Sequence, residues 1–318
     1  MKAIDFHQGW TCRHLDEPGT EKPVSIPDDA MLREKRSADA LGGLNVSWFE
    51  GYDYLYARRF TLSAEEAAGH NVLEFEGVYH NAEVSINGKK AGFRPYGYTN
   101  FYVDCDGFFT EGENTVEVIA RNADQPNSRW YSGAGIYRPV RLWRAGKEYI
   151  ALNGVKIRTL SIAPARIEVT VKTSGEGPVA LEILDGETVL AKTEGEGRVF
   201  TLELPGAGPW SPEKPQFYVC RVCFCGDEAR ERFGLRTLSW GKDGLLINGR
   251  RVILRGACIH HDNGLLGAVC DQDALERRIR LLKENGYNAI RSAHNPCSKT
   301  ALEICDRLGM QIGRASCR

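Results

Sequence analysis

Histidine is the side chain best suited to chemistry near neutrality, and in this sequence it forms two notable groups. His260 and His261 stand together, followed by Asp262, and His294 lies about thirty residues further on, just after Arg291. A neutral imidazole both donates and accepts a hydrogen bond, so such a set suits a site that binds polar ligands or moves protons. The alternative, surface-loop or hydrogen-bonded core histidines, is left open by residue type alone. Cys220, Cys223 and Cys225 form the tightest cluster among ten cysteines. Zinc would need a second Cys or His pair at ligand spacing, and none follows. Because the run Phe217 to Phe224 reads as a strand, core filling by small thiols is the expectation there.

The elements that must position the histidines begin after Trp240. Leu245-Leu246-Ile247, Asn248-Gly249 and Val252-Ile253-Leu254 predict a hairpin, and His260 and His261 then follow a strand expected to end near Gly256. Leu275, Ile279 and Leu282 recur at helical spacing, and Asn285-Gly286 closes that helix. Tyr287 to Arg291 reads as a strand leading to His294, and Ser298 as the cap of a helix carrying Leu302, Cys305 and Leu308 before Gly309. Strand, helix, strand, helix implies a parallel α/β arrangement, of which the (β/α)8 barrel is a common form. In such barrels the C-terminal strand ends build the site, which is where both histidine groups fall.

Upstream the pattern is different. From about Phe60 to Trp143, short alternating runs broken by turn residues, such as Val84-Ser85-Ile86 before Asn87-Gly88, predict an antiparallel sandwich. From about Ile150 to Thr237 the signature repeats, with Ile167-Glu168-Val169-Thr170-Val171 and a turn at Asp185-Gly186, and predicts a second, immunoglobulin-like sandwich. The expected organisation is a jelly-roll-like domain over residues 1–147, the immunoglobulin-like sandwich over 148–238, and the start of a barrel over 239–318.

Charge narrows the partners. Lys plus Arg is 41 and Asp plus Glu is 42, a net charge of −1 that supplies no field to gather nucleic acid or an anionic membrane. No run approaches the roughly 18 apolar residues of a membrane helix, and Met1 to Trp10 lacks the pattern of a secretory signal. A neutral partner and a cytoplasmic location are therefore expected.

The motifs add a resemblance. Asn288-Ala289-Ile290-Arg291-Ser292-Ala293-His294-Asn295-Pro296, with Cys305-Asp306-Arg307-Leu308-Gly309, resembles the first signature of family-two glycoside hydrolases, which include β-galactosidases, β-glucuronidases and β-mannosidases. Asn248-Gly249, Arg255-Gly256 and His260-His261-Asp262 resemble the family's entry into its barrel. Phe75-Glu76-Gly77-Val78, Gly97-Tyr98-Thr99-Asn100-Phe101 and the run from Trp130 through Gly135-Ile136-Tyr137-Arg138-Pro139 resemble its N-terminal sugar-binding sandwich. The resemblance spans about Trp10 to Met310. It implies that His260 and His294 contact sugar, that Arg291 orients neighbouring carboxylates, and that Asp262, Arg129 and Trp130 line the sugar pocket, although an aromatic in a sandwich is more often core. One departure stands out: Asp28 occupies a position where the family often has histidine.

The resemblance implies a retaining β-glycosidase, with a galactoside favoured by the His260-His261-Asp262 run and a glucuronide or mannoside as the alternative. Retention needs two carboxyl groups about 5 Å apart. Neither catalytic glutamate is assignable: the family's acid/base follows an asparagine, and this sequence has no Asn-Glu dipeptide. Glu303 falls in a predicted helix, where a solvated face is its expected role. Only 78 residues follow Trp240, whereas eight strand-helix units take about 250, so one or two units of an incomplete barrel are expected. The segment Met310-Gln311-Ile312-Gly313-Arg314-Ala315-Ser316-Cys317-Arg318 is neither apolar nor periodic and reads as an artificial end rather than a third strand. A fragment inactive alone is the expectation, and a non-catalytic carbohydrate-binding protein the competing one. The resemblance requires no cofactor or metal in this stretch, and leaves room for a divalent cation and for self-association in the intact enzyme.

Overall fold

The computed structural model describes residues 1–313. The first sandwich packs a six-stranded sheet, with Tyr54–Leu62 and Gly112–Ala120 at its centre, against a four-stranded sheet of Lys2–Asp5, Val140–Ala145, His70–Phe75 and Phe101–Asp104. All pairings are antiparallel. Alternation places Val116, Val118 and Ala120 inside, with Trp10, Tyr54, Tyr56, Phe75 and Val84 in the same core. The Asn87-Gly88 turn takes the positive φ angles, 50° and 74°, that its sequence predicts.

The second sandwich pairs Ile150–Ile162, Ala165–Thr173 and Val199–Glu203 in one sheet, and Thr188–Gly195, Val179–Asp185, Tyr218–Phe224 and Asp227–Phe233 in the other. Val179, Leu181 and Ile183 lie beside Tyr218, Cys220, Val222 and Phe224 on the inner face of the latter sheet, in the sandwich core. The core-filling role expected of the cysteine cluster holds for Cys220 alone. Cys223 is half-buried on the other face, and Cys225 lies exposed in the turn beyond the strand, at φ 45°.

Leu238–Gly241, Gly244–Ile247 and Arg250–Val252 then form a small antiparallel sheet. Beyond it the order is strand Gly256–Ile259, helix Gln272–Glu284, strand Ala289–Ser292, helix Lys299–Leu308, strand Gln311–Gly313. The three strands pair in parallel, with Ile259 opposite Ser292 and Ile290 opposite Ile312. Asp271 and Ser298 cap the helices by accepting from the backbone N–H of Ala274 and Ala301. Leu275, Ile279, Ile290, Ala301, Ile304 and Met310 form the core between helices and strands.

Two expectations are corrected here. The strand does not end near Gly256 but begins there, because the chain leaves the hairpin at Val252 and the parallel ladder opens only at Gly256, whose missing Cβ lets it lie close against the Ala289 backbone. The segment after Met310 also forms a third strand: three residues suffice for a ladder when Ala289–Ser292 supplies the hydrogen-bonding groups. Residues 314–318 lie outside the described part of the chain. No helix among the described residues is long and apolar enough to cross a membrane.

The barrel start is docked on the first sandwich by buried polar groups. Arg138, 2% exposed, donates to the carbonyls of Tyr98 at 3.0 Å and Pro296 at 2.8 Å. Lys299, in the first turn of its helix, pairs with the buried Glu74 carboxylate.

Candidate active site

His260 follows directly on the strand Gly256–Ile259, and His294 lies two residues past Ala289–Ser292. Since these strands are parallel neighbours, both imidazoles stand at the same sheet end, with centroids 5.7 Å apart and planes at 83°. Trp130, from the loop before Val140–Ala145 in the first sandwich, closes the group at 4.7 Å from His260 and 5.1 Å from His294. The ambiguity over Trp130 is thereby resolved as to place: the indole is not sandwich core but a wall shared with the two histidines.

Two buried atoms in this group, Trp130 Nε1 and His260 Nδ1, have no hydrogen-bond partner among the described residues. A buried N–H without a partner costs roughly 1–3 kcal/mol, so such atoms mark where a polar ligand would bind. Burial pushes the His260 pKa down, Asp262 opposes this, and His294 and Arg291 reinforce it, so the ring is neutral at pH 7.

The remaining predicted residues divide. Asp262 is half-buried beside His260, and its backbone carbonyl accepts from Arg278. In the strand Ala289–Ser292, Ile290 packs toward the helices, so alternation turns Arg291 to the opposite, lumen-facing side, where its guanidinium meets Cys258 Sγ at 3.3 Å. Arg129 is exposed, and no hydrogen bond or ring contact joins it to either histidine among the described residues. Glu303 is exposed on its helix, as its periodicity predicts. His261, next in sequence to His260, turns away from the group: Nε2–H donates to the Ser132 carbonyl at 3.0 Å, between Tyr98 and Tyr137. Burial pushes its pKa down to about 4.

Several contacts around this group escaped the sequence. Tyr96 donates to Asn295 Oδ1 at 2.6 Å, tying a sandwich loop to the residue after His294. Asp28, the departure noted above, takes a bidentate ion pair from Arg33 and a hydrogen bond from Tyr56, and so braces the turn beside it. Its neighbour Asp29 is wholly buried and accepts from Tyr131 and from three backbone N–H groups. Long-range partners of this kind leave no periodic signal.

A hard divalent cation takes six or more oxygen ligands, and the pocket offers one carboxylate and two imidazoles, so this set does not fit one unaided. The described residues hold one group able to converge on an ion, His70, Asp104 and Asp106, on the first sandwich, where Tyr149 stacks on His70.

Three family models match in succession: the galactose-binding-like domain of glycosyl hydrolase 2 over residues 20–143, the glycosyl hydrolases family 2 domain over 154–236, and the family's TIM barrel domain over 240–313. The chain is 36% identical over 97% of its length to β-galactosidase BoGH2A of Bacteroides ovatus, and 32% identical over 97% to a Formosa agariphila protein provisionally named β-glucuronidase. It spans 40% and 32% of those two proteins. The crystal structure of a glycosyl hydrolase family 2 member from Bacteroides cellulosilyticus superimposes with a TM-score of 0.89 at 28% identity, over 98% of this chain and 45% of that one.

Proposed function

Because the chain belongs to glycoside hydrolase family 2, we propose that it forms the sugar-binding half of an enzyme that hydrolyses terminal β-linked sugars with retention, galactosides first. The observation that carries this reading is the convergence of His260, His294 and Trp130 around two buried, unpartnered nitrogens. Sugar hydroxyls both donate and accept, so they satisfy an indole N–H and neutral imidazoles together. In this reading Arg291, on the lumen side of its strand, orients carboxylates of further barrel strands. A galactoside is favoured by the name of the relative matched at 36% identity, and a β-glucuronide is the second reading, favoured by the relative matched at 32%.

Within this chain the site binds sugar without turning it over. Double displacement needs a nucleophile and an acid/base about 5 Å apart, and the buried glutamates Glu74 and Glu76 are occupied by Lys299 and Arg141 in the sandwich. The test is a pair of measurements. Calorimetry of this chain with methyl β-D-galactopyranoside should show binding that His260→Ala abolishes, and a gene product carrying the whole barrel should cleave an aryl β-galactoside. No cleavage of aryl β-galactoside, β-glucuronide or β-mannoside by that product would remove the hydrolase reading.

A further inference from the structure

We propose that the Asp29 carboxylate is the positioning residue of this pocket: it fixes the loop carrying Trp130 against the loop carrying His260, without touching sugar itself. The inference rests on the sugar-binding reading above.

Asp29 is 2% exposed and caps the short turn Ala30–Arg33. Oδ1 accepts from the backbone N–H of Met31 at 3.2 Å and of Ala134 at 3.0 Å. Oδ2 accepts from the Tyr131 hydroxyl at 2.7 Å and from the N–H of Ala268 at 2.8 Å. Tyr131 and Ala134 belong to the loop that carries Trp130, and Ala268 belongs to the loop that begins at His260. One side chain therefore grips both walls of the pocket. No salt bridge reaches it among the described residues, so backbone and hydroxyl dipoles alone hold the charge. Four donors fill the acceptor capacity of an ionised carboxylate, and a hydrogen on Oδ1 would face only backbone N–H groups, which cannot accept it.

Two glycines show how closely both loops press on this group. A Cβ on Gly133 would lie 2.8 Å from Asp29 Oδ2, and one on Gly267 would lie 2.3 Å from it; both residues also adopt positive φ, 68° and 59°. Their backbones approach the carboxylate where a side chain has no room. The bond from His261 to the Ser132 carbonyl ties the same two loops a second time.

The test uses the 15N-labelled chain, with the Trp130 indole N–H signal assigned by its loss in Trp130→Phe. That signal is followed as His260 takes up a proton, and again on titration with methyl β-D-galactopyranoside. In Asp29→Asn an amide NH2 faces donors, and the expected result is a pH-dependent indole shift cut by at least half. Galactoside binding should weaken about tenfold or more, while amide signals of the second sandwich stay in place. Tyr131→Phe, which removes one donor and keeps the charge, should change both readouts in the same direction and less. Should Asp29→Asn fail to fold, Gly267→Ala answers the question from the barrel side, since it pushes a methyl group toward Oδ2 and leaves both donors on Oδ1 in place. A full indole titration with unchanged galactoside affinity in either variant would overturn the proposal. An unaltered chain whose indole titrates fully but binds no galactoside would instead remove the sugar reading, and the indole signal of the variants would still decide the role of Asp29.

Discussion

Lowering the pH should loosen the junction between the first sandwich and the barrel start, and His261 should be the cause. Its ring lies between Tyr98 and Tyr137, at centroid distances of 5.2 and 5.4 Å, with Nε2–H donated to Ser132. Burial first, and then the nearby Arg138 charge, disfavour the imidazolium, taking the pKa from 6.5 to about 4. Between those values the unfolded chain binds a proton that the native chain refuses, so stability falls as pH drops from about 6.5 and the loss is complete below about 4. At about 1.4 kcal/mol per pK unit, the whole window amounts to about 3 kcal/mol. Three domains make a single unfolding free energy ill-defined, so the assay is native-state hydrogen exchange at the junction. The Ala268 amide is bonded to Asp29 and the Cys270 amide to the Tyr137 carbonyl, and both break when the junction opens. The opening free energy at these two amides, compared between pH 7.5 and 4.5, should fall by about 2–3 kcal/mol more in the native sequence than in His261→Gln. The glutamine amide still donates to Ser132 and does not titrate, and contributions from His7, His80 and Asp29 cancel in the difference. Equal pH slopes in the two proteins would refute the reasoning.

Other outcomes follow from the same geometry. Lys299→Met leaves the Glu74 carboxylate buried with only Trp143 and Asn100 as donors, and should lower the opening free energy of the junction amides by about 2 kcal/mol in hydrogen exchange, reduced from a fully buried pair because Lys299 is partly solvated. Ile279→Ala, at a position 3% exposed in the third core, should cost about 2–4 kcal/mol by chemical denaturation followed at the barrel start. Among the described cysteines, peptide mapping after brief alkylation should find Cys225 and Cys258 modified first, with Cys12, Cys105, Cys220 and Cys305 protected until denaturant is added. Amides from Leu245 to Gly313 should exchange faster than those of both sandwiches, because Ile253, Leu254 and Leu265 are solvated, Leu265 to 99%; equal protection would contradict this.

How far the sequence foretold this arrangement depends on the range of the signal. Turn dipeptides, alternation and helix caps act over a few residues, so Asn87-Gly88, Asn248-Gly249, Ser298 and both sandwiches were legible. The pairing of His260 with His294 was legible too, because two strand ends followed by histidines meet if the strands are parallel neighbours. Which histidine turns inward was not: His260 and His261 differ by one peptide, and only the Ser132 carbonyl and the Tyr98 and Tyr137 rings separate their fates. Trp130 was ambiguous because an indole serves core and pocket equally well. Asp29 left no local sign, since two of its donors, Ala134 and Ala268, come from 105 and 239 residues away. The strand Gln311–Gly313 was missed because three residues are too short to show a period, and its pairing comes wholly from its neighbour.

The division of the pocket between an indole from the sandwich and imidazoles from the barrel start also bears on how such proteins can be recombined. Neither module forms the pocket alone, because each supplies an incomplete half of one surface. A chimera that joined this sandwich to a foreign barrel would carry Trp130 and Asp29 to a partner whose loop had never been shaped to receive them. Only exchanges that move residues 29, 130–134, 260–268 and 294 together preserve the fit, so these distant stretches form one structural unit despite the whole domain that lies between the first two and the last two.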